Sequence, residues 1–276
     1  MDHGRDHSAA SPDNAEGALA KARREIVELE AKLAAAEKAR HHAESAASAK
    51  EQLAAIGELS AMIAHEIRNP LTIIGNAVAT LRKPLTSAED RSVLFGILED
   101  ESRRLNRLMN DLLSYARPVS LQLSAVNVRE VMERSLSVLP PHASIEKELF
   151  EPEPVGRVFA DAKLLRQIFE NLLTNATQAM GREGGILTVR ILKAERRGEP
   201  CVDVVVEDTG EGMDTSVRDR ALLPFFTTRP TGTGLGLAIV ARFVQAHGGS
   251  LNIRSAAGKG TSVHVVLPVF EERADG

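Results

Sequence analysis

Apolar residues recur at helical spacing early in the chain. Ile56, Leu59, Ile63, Ile67, Leu71, Ile74, Val78 and Leu81 are separated by steps of three or four. The pattern predicts a long helix over 51–82. A second stripe of Leu94, Leu98, Leu105, Leu108, Leu112 and Tyr115, reinforced by Ile97, Met109 and Leu113, predicts a helix from Ala88 to Ala116. The turn is Lys83-Pro84-Leu85-Thr86-Ser87 with Ser87 as N-cap, and Pro118 stops the second helix. One such hairpin cannot cover its own apolar face, so a four-helix bundle of two copies is expected. Upstream, Leu19, Ala22, Ile26, Leu29, Leu33 and Ala36 alternate steps of three and four. We read a parallel coiled coil over 15–50; a solvated single helix is the alternative. Residues 1–14 are a polar tail in which His3 and His7 are weak metal candidates.

The second half mixes the two periods. Residues 118–125 read as a linker before a domain over 126–270, with a short tail at 271–276. Asn127-Val128-Arg129-Glu130 is a capping-box pattern opening a helix to about Leu139. Strands follow at 144–150 and 155–160, then a helix capped by Asp161 and ended after Met180 by Gly181. Strands at 186–192 and 201–207, a helix at 234–247 and strands at 250–254 and 261–267 complete the pattern. The fold class is α+β, with helices on one face of a mixed sheet.

Several polar positions break this scaffold. His65 lies two residues from both Ile63 and Ile67, so it points away from the buried stripe. Arg68 and Asn69, one turn on, share its face, and Glu66 flanks the imidazole. Pro70 removes a backbone donor and is expected to kink the helix just after the histidine. Downstream, Asn171, Asn175 and Gln178 share one polar face by i, i+4, i+7 spacing. Their amide oxygens suit a Mg²⁺ shell completed by phosphate and water. In Glu207-Asp208-Thr209-Gly210-Glu211-Gly212-Met213 a strand runs into acids and alternating glycines. The glycines would let backbone approach a planar ring, and the acid would accept from an exocyclic amine. Leu223-Pro224-Phe225-Phe226-Thr227-Thr228-Arg229 precedes Gly232-Thr233-Gly234-Leu235-Gly236-Leu237, which leads into a helix whose first amides suit phosphate. The two phenylalanines are either a hinge latch, which we favour, or core. His247-Gly248-Gly249 and Gly258-Lys259-Gly260-Thr261 read as turns.

Composition narrows the partners. With 276 residues, 43% hydrophobic and 26% charged, there is room for two domains with a core. A net charge of -4 gives no electrostatic case for direct nucleic-acid binding. No apolar run approaches the ~18 residues of a membrane span, and the first residues have no apolar signal core. We therefore expect a cytoplasmic protein. The lone Cys201 in a strand-like run reads as a small core residue.

From about Leu53 to Pro268, five blocks stand in the order found in sensor histidine kinases of two-component systems. The chain resembles that family, and among its members the soluble nitrogen-regulation type. Ala64-His65-Glu66-Ile67-Arg68-Asn69-Pro70-Leu71 is similar to the H-box, the 167–178 block to the N-box, and the blocks at 207–213, 223–229 and 232–237 to the G1, F and G2 boxes. The resemblance implies a dimerisation and phosphotransfer domain over 51–117 and a Bergerat-type α/β sandwich binding ATP and Mg²⁺. It implies His65 as phosphoacceptor, Glu66 as general base, Asn69 as a phosphatase candidate and Asn175 as metal ligand. Asp208 would read adenine, aided by Gly210 and Gly212. Asn171, Gln178, Arg229, Thr231, Gly232, Thr233, Gly234, Leu235, Gly236, Leu237 and Thr261 would complete the nucleotide site. The implied partners are a second copy and a response regulator with a receiver domain. ATP-hydrolysing relatives carry a glutamate where Asn171 stands, and an amide cannot take that proton. The family often carries a basic residue at Gln178, so a charged contact from this helix is in question. Two rivals stay open: an ATPase or chaperone-like machine, and a dead kinase serving as a dimeric scaffold.

Overall fold

The computed structural model describes Lys32 and residues 61–83, 87–140, 144–196, 198–229 and 232–269. The expected tails, the coiled coil apart from Lys32, and Thr231 lie outside the described residues. Helix α1 covers 61–81 and runs on through Pro70 without interruption, with the proline ring buried. Helix α2, Ala88–Ala116, has the predicted bounds because its ends carry strong signals. The Ser87 hydroxyl accepts from the Asp90 N–H at 3.0 Å, and the acids Glu89 and Asp90 occupy the first turn.

Strand β1 (Ser124–Asn127) pairs antiparallel with β3 (Arg157–Ala160). The expected linker therefore ends before Ser124, since a four-residue strand is too short to show an alternating pattern. Helix α3 is Val128–Ser137 and strand β2 is Ile145–Phe150. Helix α4 (Ala162–Met180) has the expected Asp161 cap. Strands β4 (Gly185–Arg196) and β5 (Glu199–Asp208) form a longer hairpin than the apolar run suggested. A four-residue helix α5, Thr215–Arg218, went unanticipated. Helix α6 is Gly236–Ala246, and β6 and β7 are Ser250–Ser255 and Thr261–Pro268. The main sheet has the order β2-β4-β5-β7-β6, parallel only between β2 and β4.

Period-2 alternation turns Val202, Val204 and Val206 of β5 and Leu187, Val189 and Ile191 of β4 inward. They meet Leu165, Ile168, Phe169, Leu172 and Leu173 of α4 and Ile239, Val240 and Phe243 of α6 in one core. Helices thus cover one face of a mixed sheet, as expected. Cys201 is buried on β5.

Two polar joints fix the layers. Asp161 Oδ1 accepts from the N–H of Lys163 and Leu164 at 2.9 and 3.1 Å, and its Oδ2 accepts from Gln122 N–H at 3.0 Å. Burial opposes its charge, yet these three N–H groups and nearby His247 hold the carboxyl below its ordinary range. Its own N–H donates to buried His247 Nε2 at 3.0 Å, joining the end of β3 to the end of α6. His247 is therefore part of the frame as well as a turn. Arg242 of α6 donates to the carbonyls of Ser114, Tyr115 and Arg117, the oxygens that the end of α2 leaves without helical partners.

Candidate functional site

A cavity of about 430 Å³ opens between α4, the end of β5, residues 226–229 and 232–234, and the start of α6. That volume lies within the range of small-molecule sites. Of the expected residues, Asn171, Asn175, Gln178, Asp208, Gly212, Arg229, Gly232, Thr233, Gly234, Gly236, Leu237 and Thr261 line it. Leu235 is fully buried and does not line it, because it anchors the start of α6 in the core.

Gly210 also lies off the wall. A Cβ there would sit 2.6 Å from the backbone of Ala179, so the missing side chain lets the loop close on α4. Glu211 N–H donates to Ala179 O across that contact at 3.1 Å.

Asp208 is 6% exposed at the end of β5, and its Oδ1 accepts from Gly210 N–H at 2.9 Å. Burial pushes its carboxyl above the ordinary range, against the N–H groups of Gly210 and Thr261 and the charge of Arg229. The i, i+4, i+7 face of α4 forms one wall. Asn171 Nδ2 is tied to Gln167 O at 2.9 Å, which leaves Oδ1 free toward the first residue of α6. A Cβ on Gly236 would lie 3.1 Å from Asn171 Oδ1 and 3.8 Å from Asn175 Nδ2, so amide side chains and helix-start amides face the same space. Among the described residues no cluster of three or more His, Cys, Asp or Glu could hold a metal. Such an amide-rich wall suits a Mg²⁺ that takes most of its ligands from phosphate and water.

Gln178 Oε1 accepts from Arg229 Nη1 at 3.0 Å, and Asn175 O accepts from Arg229 Nη2 at 3.4 Å. The cations of α4, Lys163 and Arg166, do not line the cavity, and Arg229 brings one to that wall. The chain around Arg229 turns sharply: Phe225 is buried at φ 61, and a Cβ on Gly234 (φ 68) would lie 2.4 Å from the Phe225 carbonyl carbon. Phe225 packs in the core, while Phe226 lines the cavity beneath the Arg220 guanidinium, 4.2 Å from the ring centre.

His65 is exposed on α1, and Asn69 Nδ2 donates to its Nδ1 at 3.3 Å. The shared face is as the spacing requires. Glu66 turns elsewhere: its carboxylate is 3.4 Å from Arg104 of α2. A half-buried acid finds a charged partner across the hairpin, while the imidazole is satisfied one turn along its own helix. Neither His65 nor Glu66 nor Asn69 lines the cavity.

Sequence reading did not place α2 at the cavity, yet its Arg107 and Asp111 line it. The Thr233 hydroxyl donates to Asp111 Oδ2 at 2.7 Å. Burial pushes the Asp111 carboxyl up, opposed by Thr233 and Arg107. Arg104, Arg107 and Asp111 are spaced by three and four, a polar stripe visible in the sequence beside the apolar one. One face of α2 thus touches Glu66 at one point and the cavity two turns on, roughly 10 Å away along the axis.

Comparison with known proteins agrees with this geometry. Residues 55–120 match the His Kinase A (phospho-acceptor) domain, and residues 160–271 match the histidine kinase-, DNA gyrase B- and HSP90-like ATPase family. The sensor histidine kinase ZraS of Salmonella typhi is 34% identical over 229 residues, 82% of this chain and 48% of that protein. The signal transduction histidine-protein kinase AtoS of Escherichia coli is 34% identical over 223 residues, covering 79% and 36%. The chain spans about half the length of ZraS or less of such relatives. Among solved structures, the histidine kinase ThkA in complex with the response regulator protein TrrA superposes with a TM-score of 0.69 at 26% identity, over 82% of this chain and 65% of that one.

Proposed function

Because this chain belongs to the sensor histidine kinase family of two-component systems, we propose that it transfers the γ-phosphoryl group of ATP to His65 and then to an aspartate of a response regulator. The observation that carries this is the single helix α2. It joins the acid beside an exposed histidine to a nucleotide-sized cavity walled by amides and a glycine-rich helix start.

In this reading Asp208 accepts from the exocyclic amine of adenine, the helix-start amides at Gly236 and the Arg229 guanidinium attract the phosphates, and His65 attacks in line. Glu66 takes the imidazole proton as the N–P bond forms and the γ-phosphorus–oxygen bond breaks to release ADP, which requires Glu66 to exchange Arg104 for His65. A Mg²⁺ held by Asn175 with phosphate oxygens and water would supply charge neutralisation at the transferring group. Asn171 carries an amide already tied to Gln167 O and cannot serve as a base for water, which favours transfer over ATP hydrolysis.

The working unit in this reading is a homodimer. Met62, Leu71, Val93, Phe95, Met109 and Leu113 leave between 43% and 64% of their surface exposed on the hairpin, and a second hairpin would cover them. Asn69, one turn from His65, would aim water at the regulator's acyl phosphate. Among the described residues no helix is long and apolar enough to cross a membrane. In this reading the reaction runs in the cytoplasm, with ATP and a receiver partner as its substrates. The test is incubation with γ-labelled ATP and Mg²⁺, followed by addition of receiver domains from the same genome. Acid-labile label on the chain that moves to a receiver is expected; release of phosphate with no labelled protein would instead mark an ATPase.

A further inference from the structure

We propose that Gln178 is a positioning residue: it fixes the Arg229 guanidinium on the cavity wall, so that the α4 face of the cavity takes its anion-binding charge from Arg229. The inference rests on the nucleotide reading above and adds a device to it. Arg229 reaches α4 through two of its five N–H donors, one to Gln178 Oε1 at 3.0 Å and one to Asn175 O at 3.4 Å. Both acceptors are neutral. Two carboxylates act on it: Glu211, 3.8 Å from Nε on a side chain 64% exposed, where water weakens the attraction, and Asp208 at the end of β5. The guanidinium sits beside the cavity, 29% exposed, with three N–H groups free of α4. A phosphate is the ligand such a fork suits.

Of the two contacts, the carbonyl of Asn175 belongs to the helix backbone and is present whatever the side chains. Gln178 is the side chain that sets where along α4 the guanidinium rests. A polyphosphate bound in the cavity reaches this charge, whereas a bare nucleoside at Asp208 does not.

The test compares wild type, Gln178→Ala, Arg229→Gln and the exchange Gln178→Arg with Arg229→Gln, by calorimetric titration of ATP and of adenosine. Thermal melting confirms that each variant is folded; both side chains lie at the surface of the cavity, outside the core. Loss of a charge-assisted contact predicts ATP binding weakened about tenfold or more in Arg229→Gln and several-fold in Gln178→Ala, with adenosine affinity unchanged. The exchange rebuilds the same pair with the charge on α4 and is expected to restore ATP affinity to within about threefold of wild type. Wild-type affinity for ATP in Gln178→Ala, or an exchange variant no better than Arg229→Gln, overturns the positioning role while leaving the nucleotide reading intact. A wild-type chain that binds neither ligand overturns that reading itself.

Discussion

Replacing Asp208 with asparagine tests the proposed reading of the base by this end of the cavity. The carboxylate is 6% exposed, and one of its oxygens is already committed to Gly210 N–H at 2.9 Å. The amide is nearly isosteric, so the loop keeps its shape. What changes is that an NH₂ replaces one acceptor, either against the adenine amine or against Gly210 N–H. Either way a charge-assisted bond in a buried setting is lost, at a cost of about 1.5–3 kcal/mol. That corresponds to ATP or ADP binding weakened about 10- to 150-fold at neutral pH. GTP and GDP present a carbonyl where adenine presents its amine, so they should bind the variant at least as well as wild type. Calorimetric titration with ADP and GDP measures both. The acid range adds a second signature. Burial raises the Asp208 pKa above the ordinary 3.8, so wild-type ADP affinity should start to fall, as pH is lowered, earlier than an exposed aspartate would cause. The asparagine variant lacks that dependence. ADP affinity within about threefold of wild type and an unchanged ADP-to-GDP ratio would refute the assignment of Asp208 to the base.

Two further outcomes follow from other joints of the structure. Asp161→Ala removes the α4 cap and leaves Gln122 N–H without its acceptor, and should cost about 2 kcal/mol in denaturant unfolding. The folded carboxyl titrates below its ordinary 3.8, so its stabilisation is present above that pH and is lost as pH falls through the lower folded value; Asp161→Asn should flatten this acid limb, and superimposable curves would contradict the linkage. Asn69→Ala should keep autophosphorylation within several-fold yet slow the loss of phosphate from a cognate regulator, and equal loss with wild type would leave Asn69 only its hydrogen bond to His65.

Where structure is set by residues close in sequence, the sequence was a good guide. Ser87 and Asp161 announce their helices because a side-chain oxygen two or three residues before an N–H is a local device. The sheet strands and the polar face of α4 followed from their periods alone. Contacts between distant residues were hidden. Glu66 and Arg104 are separated by 38 positions, Asp161 and His247 by 86, and Thr233 and Asp111 by 122, and no local pattern encodes such pairings. The reading of Gly210 shows a subtler limit. A glycine signals that something approaches closely, and the fold shows that one such neighbour is the backbone of α4. Strand β1 was missed because its four residues, Ser124–Asn127, gain their conformation from pairing with β3.

The central claim is that His65 receives the phosphoryl group. It is tested most directly by incubating wild type and His65→Gln with γ-labelled ATP and Mg²⁺, and following protein-bound label alongside nucleotide affinity. His65 is exposed and does not line the cavity, so the substitution should leave ATP binding intact. The account predicts acid-labile, base-stable label on the wild type and none on the variant. Robust acid-labile label on His65→Gln would contradict it.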